Sequence, residues 1–391
     1  MCDALRCHPY HRPGRRELEQ FRRFLREVSD YVLVPVVGTF PPVSTTQPIG
    51  VLLLQLGTPD SPETSDVRTY LREFLSDPRV LDIPPLARSL LLNAVILPFR
   101  PRRSAEAYEK IWTEEGSPLT IHTSELAGGM QRELGSGYRV AFGMRYRHPS
   151  IAEAVEELVA AGCERLVVLP LFPQYASASG GSAVAATLDV VGRRWNVPDV
   201  TTIGAFYDDP GFITAVTEIA RPLLHDFRPD HVLFSYHGLP EKQIRKSDTS
   251  GDWCLQRPDC CAAITDSNRF CYRAQSSATS RALAADLELA DGTWSTTFQS
   301  RLAGQKWIEP YTDRRLPELY ASGVRRLAVL TPSFTADCLE TLEEIGIRGR
   351  NQWAGLGGEE LLLVPCVNAS PGWVRAAVDL VGASLGVPTI P

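Results

Sequence analysis

Six short runs rich in valine and leucine limit what this chain can fold into: "IGVLLLQLG", "YRVAFGMR", "RLVVLPLF", "HVLFSYHG", "RLAVLTPSF" and "ELLLVPCVN". None alternates apolar with polar residues, as a half-exposed strand would. Unbroken apolar runs are how strands buried on both faces of a parallel sheet read. Amphipathic stretches such as "SIAEAVEELVAAG" and "DRRLPELYASG" lie between them. This alternation predicts an α/β fold with parallel sheets. A chain of 391 residues is long enough for two domains with ordinary cores.

The order of these pieces repeats. "AAGCERLVVLPLFPQYASASGG" from Ala160 and "ASGVRRLAVLTPSFTADCLETL" from Ala321 share a helix end, a glycine, a basic residue, a strand and a Pro/Phe tip. "GVLLLQLGTP" and "DHVLFSYHGLP" likewise share a strand followed by glycine and proline. Two similar lobes are expected, one over residues 48–208 and one over 209–391, with a cysteine-rich insertion at 245–275. Residues 1–47 differ from the rest: they are Arg-rich, carry one short helical pattern and end in "GTFPPVSTTQP". They read as an extension with no chemistry assigned.

Charge and hydropathy exclude some classes of function. The net charge of −6 gives no overall attraction to nucleic acid. No apolar run reaches the length of a membrane span. "RSLLLNAVILPF" at 88–99 is the longest greasy stretch, read either as a buried helix or as a surface for a bilayer or a flat ligand. No signal peptide is recognisable, so the expected setting is cytoplasmic and disulfides are not expected.

In open α/β sheets, ligands bind beyond the carboxyl ends of the strands. Those tips carry Gly57-Thr58-Pro59, Arg145 and Tyr146, Tyr175 with Ser177 and Ser179, His237, Gln299 through Trp307, and Asp337 through Glu344. Neither GxGxxG nor GxxxxGK[ST] occurs, which removes the usual dinucleotide and P-loop fingerprints. "SASGGS" could cradle a phosphate, though Ser/Gly loops are common. His237 alone could be a strand-end histidine bonded to a loop carbonyl. Glu340 and Glu344 are i, i+4 neighbours on a predicted helix, so they repel unless solvent, a cation or a proton lies between them. Asp337 could cap that helix. Taken together, imidazole and carboxylates suit a borderline or hard divalent ion such as Fe²⁺, in a site that also releases it.

Several of these stretches together resemble the ferrochelatase family: "WTEEGSPL", "GMRYRHP", "LFPQYASASGGS", "SYHGLP", "QSRLAGQKWIEPYTD" and "FTADCLETLEE", in the family's order. The resemblance covers about residues 49–380. It implies an enzyme that inserts Fe²⁺ into protoporphyrin IX or coproporphyrin III to form haem. It also implies two Rossmann-like lobes with the porphyrin cleft between them. His237, Glu340 and Asp337 would be the catalytic set, and His237, Glu340 and Glu344 the metal contacts. Arg145, Tyr146 and Tyr175 would face the opposite side of the ring, with Trp307 packed against it. Cys338 stands where many members carry a second histidine. Arg100, Arg102 and Arg103 in "FRPRRSAEAY" could take the anionic propionates, and the greasy 88–103 segment would be a lip touching a membrane at its periphery.

Four of the nine cysteines crowd into "WCLQRPDCCAAITDSNRFC": Cys254, Cys260, Cys261 and Cys271. Four thiolates suit zinc or an iron–sulfur cluster, and this spacing matches no ferredoxin pattern. By resemblance to certain bacterial members they would hold a [2Fe–2S] cluster, with zinc as the alternative. Two rival functions share some of these features: a cobalt or nickel chelatase acting on another tetrapyrrole, and a non-catalytic haem or porphyrin carrier. A single motif histidine argues against the first, and a carboxylate track against the second.

Overall fold

The computed structural model describes residues 47–301 and 304–386. The extension expected over residues 1–47, with Cys2 and Cys7, lies outside them apart from Gln47.

The α/β expectation is met by two four-stranded sheets. The first contains β1 (Ile49–Gly57), β2 (Tyr138–Tyr146), β3 (Arg165–Pro170) and β4 (Asp199–Thr202), in the order β2-β1-β3-β4. The second contains β5 (His231–His237), β6 (Trp294–Gln299), β7 (Arg326–Leu330) and β8 (Glu360–Leu363), in the order β6-β5-β7-β8. Every pairing is parallel. In each sheet the strand that comes first in sequence lies between the second and the third, so the repeat seen in the sequence is a repeat of topology. β1 and β5 are therefore flanked on both edges and covered on both faces. Val51, Leu52, Leu53 and Leu54 are fully buried, as are Leu233, Phe234 and Tyr236. Each such side chain contributes about 1.5–3 kcal/mol of burial.

The helices follow from local signals. Ser150 opens Ile151–Ala160 with a reciprocal cap: the Glu153 N–H donates to Ser150 Oγ at 3.2 Å, and the Ser150 N–H donates to Glu153 Oε2 at 2.6 Å. "DRRLPELYASG" becomes the helix Thr312–Ala321, which tolerates Pro317 in its interior. The last helix, Pro371–Ser384, packs on Pro118–Leu134 and Pro210–Phe227. Its Trp373 sits against Phe206 and Phe212, with ring centroids at 5.4 and 5.7 Å. One continuous core thereby includes Val51 and Val167 of the first sheet and Phe234 and Ala328 of the second.

Hydrogen bonds join the carboxyl edges of the two sheets. Gln174 Nε2 donates to Thr279 Oγ1 at 2.9 Å and to the Pro332 carbonyl at 3.2 Å. Thr335 Oγ1 donates to the Leu171 carbonyl at 3.1 Å. Each central strand needs a glycine at its tip, Gly57 ending β1 and Gly238 just after β5, for the same steric reason. A Cβ on Gly57, whose φ is +115°, would stand 2.0 Å from the Tyr146 carbonyl oxygen, and one on Gly238 would stand 2.7 Å from that of Gln299. At each tip the neighbouring strand's carbonyl occupies the space of a side chain.

The greasy 88–99 segment is not a buried helix. It runs from a short helix (Pro85–Leu90) through a π-helical turn (Leu91–Ile96) into Leu97–Glu109. Leu92 and Leu97 are buried, whereas Leu90, Val95 and Phe99 are exposed, Phe99 by 78%. A segment that is apolar on every side cannot hide all of it against one partner. No helix among the described residues is long and apolar enough to cross a membrane.

Candidate active site

His237 is the last residue of β5, half-buried where the two sheet edges meet. Its N–H donates to Ser333 Oγ at 3.1 Å. Its ring Nδ1 lies 2.6 Å from the Gly238 carbonyl oxygen. A carbonyl can only accept, so Nδ1 carries the hydrogen and the Nε2 lone pair is left free. That is the tautomer a proton acceptor needs. Trp307 and Phe334 flank the imidazole, with ring centroids at 6.5 and 6.4 Å. The space freed at Gly238 lets Trp307 approach, since a Cβ there would meet its ring at 3.3 Å. The buried indole N–H of Trp307 has no hydrogen-bond partner among the described residues.

The predicted glutamate helix is an eleven-residue π-helix, Leu339–Gly349. π-Helices are rare and frequently mark functional sites. Two further π-helical turns, Leu91–Ile96 and Ser177–Gly181, fall in the greasy segment and the "SASGGS" loop. Gln299, at the tip of β6, anchors the long one. It accepts from Ser235 Oγ at 2.6 Å and donates from Nε2 to the Glu340 carbonyl at 2.7 Å.

The carboxylates of this region have different tasks. Glu343 is buried in an ion pair with Arg348 Nε at 2.7 Å and lies 3.5 Å from Lys110 Nζ, so it is no solvated helix face. Glu344 Oε1 accepts from the Ser300 N–H at 2.9 Å, and its Oε2 from the Ser300 hydroxyl. Asp337 does not cap the helix; Cys338 does. Asp337 is buried and accepts from Thr341 Oγ1 at 2.9 Å, Asn368 Nδ2 at 2.8 Å and the Cys366 N–H at 3.4 Å, which commits its oxygens to the fold.

Glu340 remains, half-buried. Burial pushes the Tyr70, Tyr108 and Cys338 hydroxyls and thiol up, and the Glu340 charge pushes each further. Burial pulls Arg100 down, while Tyr70, Tyr108 and Glu340 counter it. The Glu340 carboxylate therefore faces two phenols, a thiol and a guanidinium. Arg100 turns inward towards it, but Arg103 is exposed and Arg102 pairs with Glu106 at 3.4 Å on the surface. The three arginines do not form one propionate clamp.

On the other side of the tips, Tyr146 is buried and Arg145 lies across its ring at 4.6 Å. Both bind Asp77, a residue the sequence reading did not single out. Asp77 Oδ2 accepts from Arg145 Nη2 at 2.9 Å, Tyr146 Oη at 2.9 Å and the Ser182 hydroxyl, while Oδ1 accepts from the Arg79 N–H at 2.7 Å. Burial opposes the Asp77 charge, yet the Ser182 hydroxyl, the Arg79 N–H, Tyr146 and Arg145 hold it below the usual carboxylate range. "SDP" after an amphipathic helix was its only signal, and that reads as a turn. Tyr175 is half-buried beside Phe270, with ring centroids at 5.6 Å.

The ferrochelatase family profile matches residues 48–385. The ferrochelatase of Coxiella burnetii (strain CbuK_Q154) is 48% identical over 343 residues, 88% of this chain and 96% of that protein. The chain belongs to the ferrochelatase family. The ferrochelatase of Legionella pneumophila (strain Paris) is 47% identical over 336 residues, 86% of this chain and 99% of that protein. Among solved structures, the sirohydrochlorin chelatase SirB from Bacillus subtilis subspecies spizizenii, in complex with cobalt, is similar with a TM-score of 0.49 and 10% identity, over 86% of this chain and 95% of that one. As a ferrochelatase, the chain inserts ferrous iron into a porphyrin to make haem, which sets aside the cobalt or nickel chelatase and the carrier.

The cysteine window of this ferrochelatase lies between the helices Glu241–Lys246 and Tyr272–Asp286. All four thiols are free, and three are buried. Cys260 and Cys261 Sγ are 3.7 Å apart, and Cys271 lies close enough to perturb the Cys254 and Cys261 thiols. Arg273 Nη1 is 3.4 Å from Cys261 Sγ. Burial pushes the Cys254 thiol up to about 11. Four cysteines and a nearby guanidinium are the residue types that suit a soft-metal group, although burial keeps the Cys254, Cys260 and Cys261 thiols in their neutral form here. Among the described residues, no group of three or more His, Cys, Asp or Glu side chains stands arranged to hold a metal ion, in this window or at His237 and the glutamates. The glutamates are spread by their separate partners, so the site holds no preformed iron cage.

Asp77→Asn is expected to cost about 3 kcal/mol of stability at neutral pH, because it leaves Arg145 with its charge unpaired. The folded pKa of Asp77 is depressed, so its contribution is complete above the unfolded value of 3.8 and is lost as pH falls through the folded value. Urea denaturation of parent and variant should therefore give curves that differ at neutral pH and converge in acid.

Proposed function

We propose that His237 and Glu340 work as a pair on protoporphyrin IX or coproporphyrin III. The observation that carries this reading is the His237 tautomer: Nδ1 is tied to the Gly238 carbonyl at 2.6 Å, so Nε2 is held ready to take a proton. Metallation removes two pyrrole N–H protons as ferrous iron forms its bonds to the ring nitrogens. His237 Nε2 accepts one of these protons, and a nearby base at one face lowers the barrier to their loss. Glu340 has no ion-pair partner among the described residues and, unlike Asp337, is not tied down by Thr341, Asn368 and Cys366; it serves the iron or the second proton. Glu344, on its Ser300 anchor, continues the path. Asp337 supports the π-helix from beneath.

Tyr175, Arg145 and Tyr146 form the opposite wall in this reading, with the last two set by Asp77, and Trp307 packs on the ring. The lobes 48–208 and 209–391 clamp the macrocycle between their strand tips. Of the three arginines, Arg100 is the best placed to meet a propionate, being half-buried and near enough to Glu340 to feel its charge. Cys254, Cys260, Cys261 and Cys271 hold a [2Fe–2S] cluster, or zinc; when bound, the group supplies a rigid crosslink of the window, and no electron is needed for metallation. The reading sets the enzyme in the cytoplasm, with exposed Leu90, Val95 and Phe99 resting on a membrane.

His237→Ala and Glu340→Gln should each lower haem formation by at least about a hundredfold while porphyrin still binds. Anaerobic turnover with Fe²⁺, followed by visible absorption, checks this; near-normal rates in either variant would sink the assignment. Cys261→Ser should lose the protein's bound iron and sulfide, or its zinc, by elemental analysis. Vesicle sedimentation should carry down the parent chain but not a Leu90→Ser/Phe99→Ser variant.

A further inference from the structure

The cysteine window reaches the porphyrin cleft through the residues on either side of Cys271. Phe270 packs its ring against Tyr175 at 5.6 Å and is itself capped by the Arg269 guanidinium at 4.9 Å. Phe270 is 43% exposed, so packing in the core does not explain it. Tyr272 faces Ser333, whose hydroxyl accepts the His237 N–H at 3.1 Å. The Tyr272 hydroxyl is buried and has no hydrogen-bond partner among the described residues. One turn along, Gln275 is buried and bonds at both ends. Its Oε1 accepts from the Tyr175 N–H at 2.6 Å, and its Nε2 donates to the Arg269 carbonyl at 2.6 Å. One side chain therefore ties the tip of the first sheet to the backbone two residues before Cys271.

A buried glutamine is a costly way to stitch a loop, because every unmet group loses its hydration. Here it joins two segments a hundred residues apart, and no regular secondary structure does so. Cys271 lies between Phe270, which grips the Tyr175 ring, and Tyr272, which abuts the residue holding His237. Any change in what binds Cys271 must move these covalent neighbours.

We propose that Gln275 and Phe270 are positioning residues that set Tyr175 for porphyrin, so that the cysteine window governs substrate affinity rather than chemistry. This rests on the reading that Tyr175 faces the ring. The state of the window then acts on binding through two contacts at one strand tip, with no electron transferred.

The test is an iron-free porphyrin titration of the full chain, followed by fluorescence, alongside turnover at saturating porphyrin. Gln275→Ala and Phe270→Ala should each weaken porphyrin binding about fivefold, the loss of one buried contact, with kcat changed less than about twofold, and Cys271→Ala should weaken binding by a similar factor. Gln275→Glu keeps the acceptor for the Tyr175 N–H but sets an oxygen against the Arg269 carbonyl in place of a donor, so it should weaken binding as Gln275→Ala does. Combining Gln275→Ala with Cys271→Ala should weaken binding no more than either alone. Should Cys271→Ala fail to fold, pairing Phe270→Ala with Gln275→Ala makes the same comparison without touching a cysteine. Unchanged affinity in Gln275→Ala, or additive losses in the double variant, would overturn the proposal if Tyr175→Ala does weaken binding. If Tyr175→Ala leaves affinity unchanged, the porphyrin-facing reading of Tyr175 fails first and the inference falls with it.

Discussion

Parallel pairing around β1 and β5 is the constraint on which the rest of the structure depends. Parallel strands all end on the same edge of a sheet, so every loop following a strand gathers there. With two such sheets joined at that edge by Gln174, Thr335 and Gln275, the chain concentrates its irregular backbone in one region. His237, Gln299, Tyr146 and Tyr175 are brought together by this rule. Crowding also sets the tips themselves, since Gly57 and Gly238 are each required by a neighbouring carbonyl.

Within that crowded region, partners decide what each carboxylate does. Asp77, Asp337 and Glu343 are buried and fully engaged by donors, and such groups stabilise position more than they react. Glu340 has phenols, a thiol and Arg100 near it but no ion pair among the described residues, which is why the proposed reading gives it the iron or a proton. A histidine whose Nδ1–H is tied to a carbonyl completes the contrast. The same residue types thus divide into scaffold and chemistry by their hydrogen bonds alone.

Irregular helices mark the same region. Among the described residues, three π-helical segments, rare elsewhere in proteins, lie in the greasy segment, the Ser/Gly loop after β3 and the glutamate helix. The last of these carries Glu340 between Cys338, which caps it, and Glu344, which Ser300 holds. In the greasy segment, the unwound turn accompanies apolar side chains left in solvent, which a regular amphipathic helix would have turned inward.

Much of this was readable from the sequence. Apolar runs without alternation announced buried parallel strands, because period and burial are local properties of a strand. The repeated strand–glycine–proline order announced two sheets of one topology, and the motif series named the family. Hydrogen-bond partners were not readable, because they join residues far apart in the chain. Asp77 meets Ser182, Asp337 meets Asn368, and Gln275 meets Tyr175 only after the sheets pack. The parting of Arg100 from Arg103 and the π-register of the glutamate helix were hidden for the same reason. Sequence alone determined which residue types stand at the strand tips. Tertiary structure decided which of them are neutralised by a buried partner and which remain free, since desolvation and pairing exist only once the chain has folded.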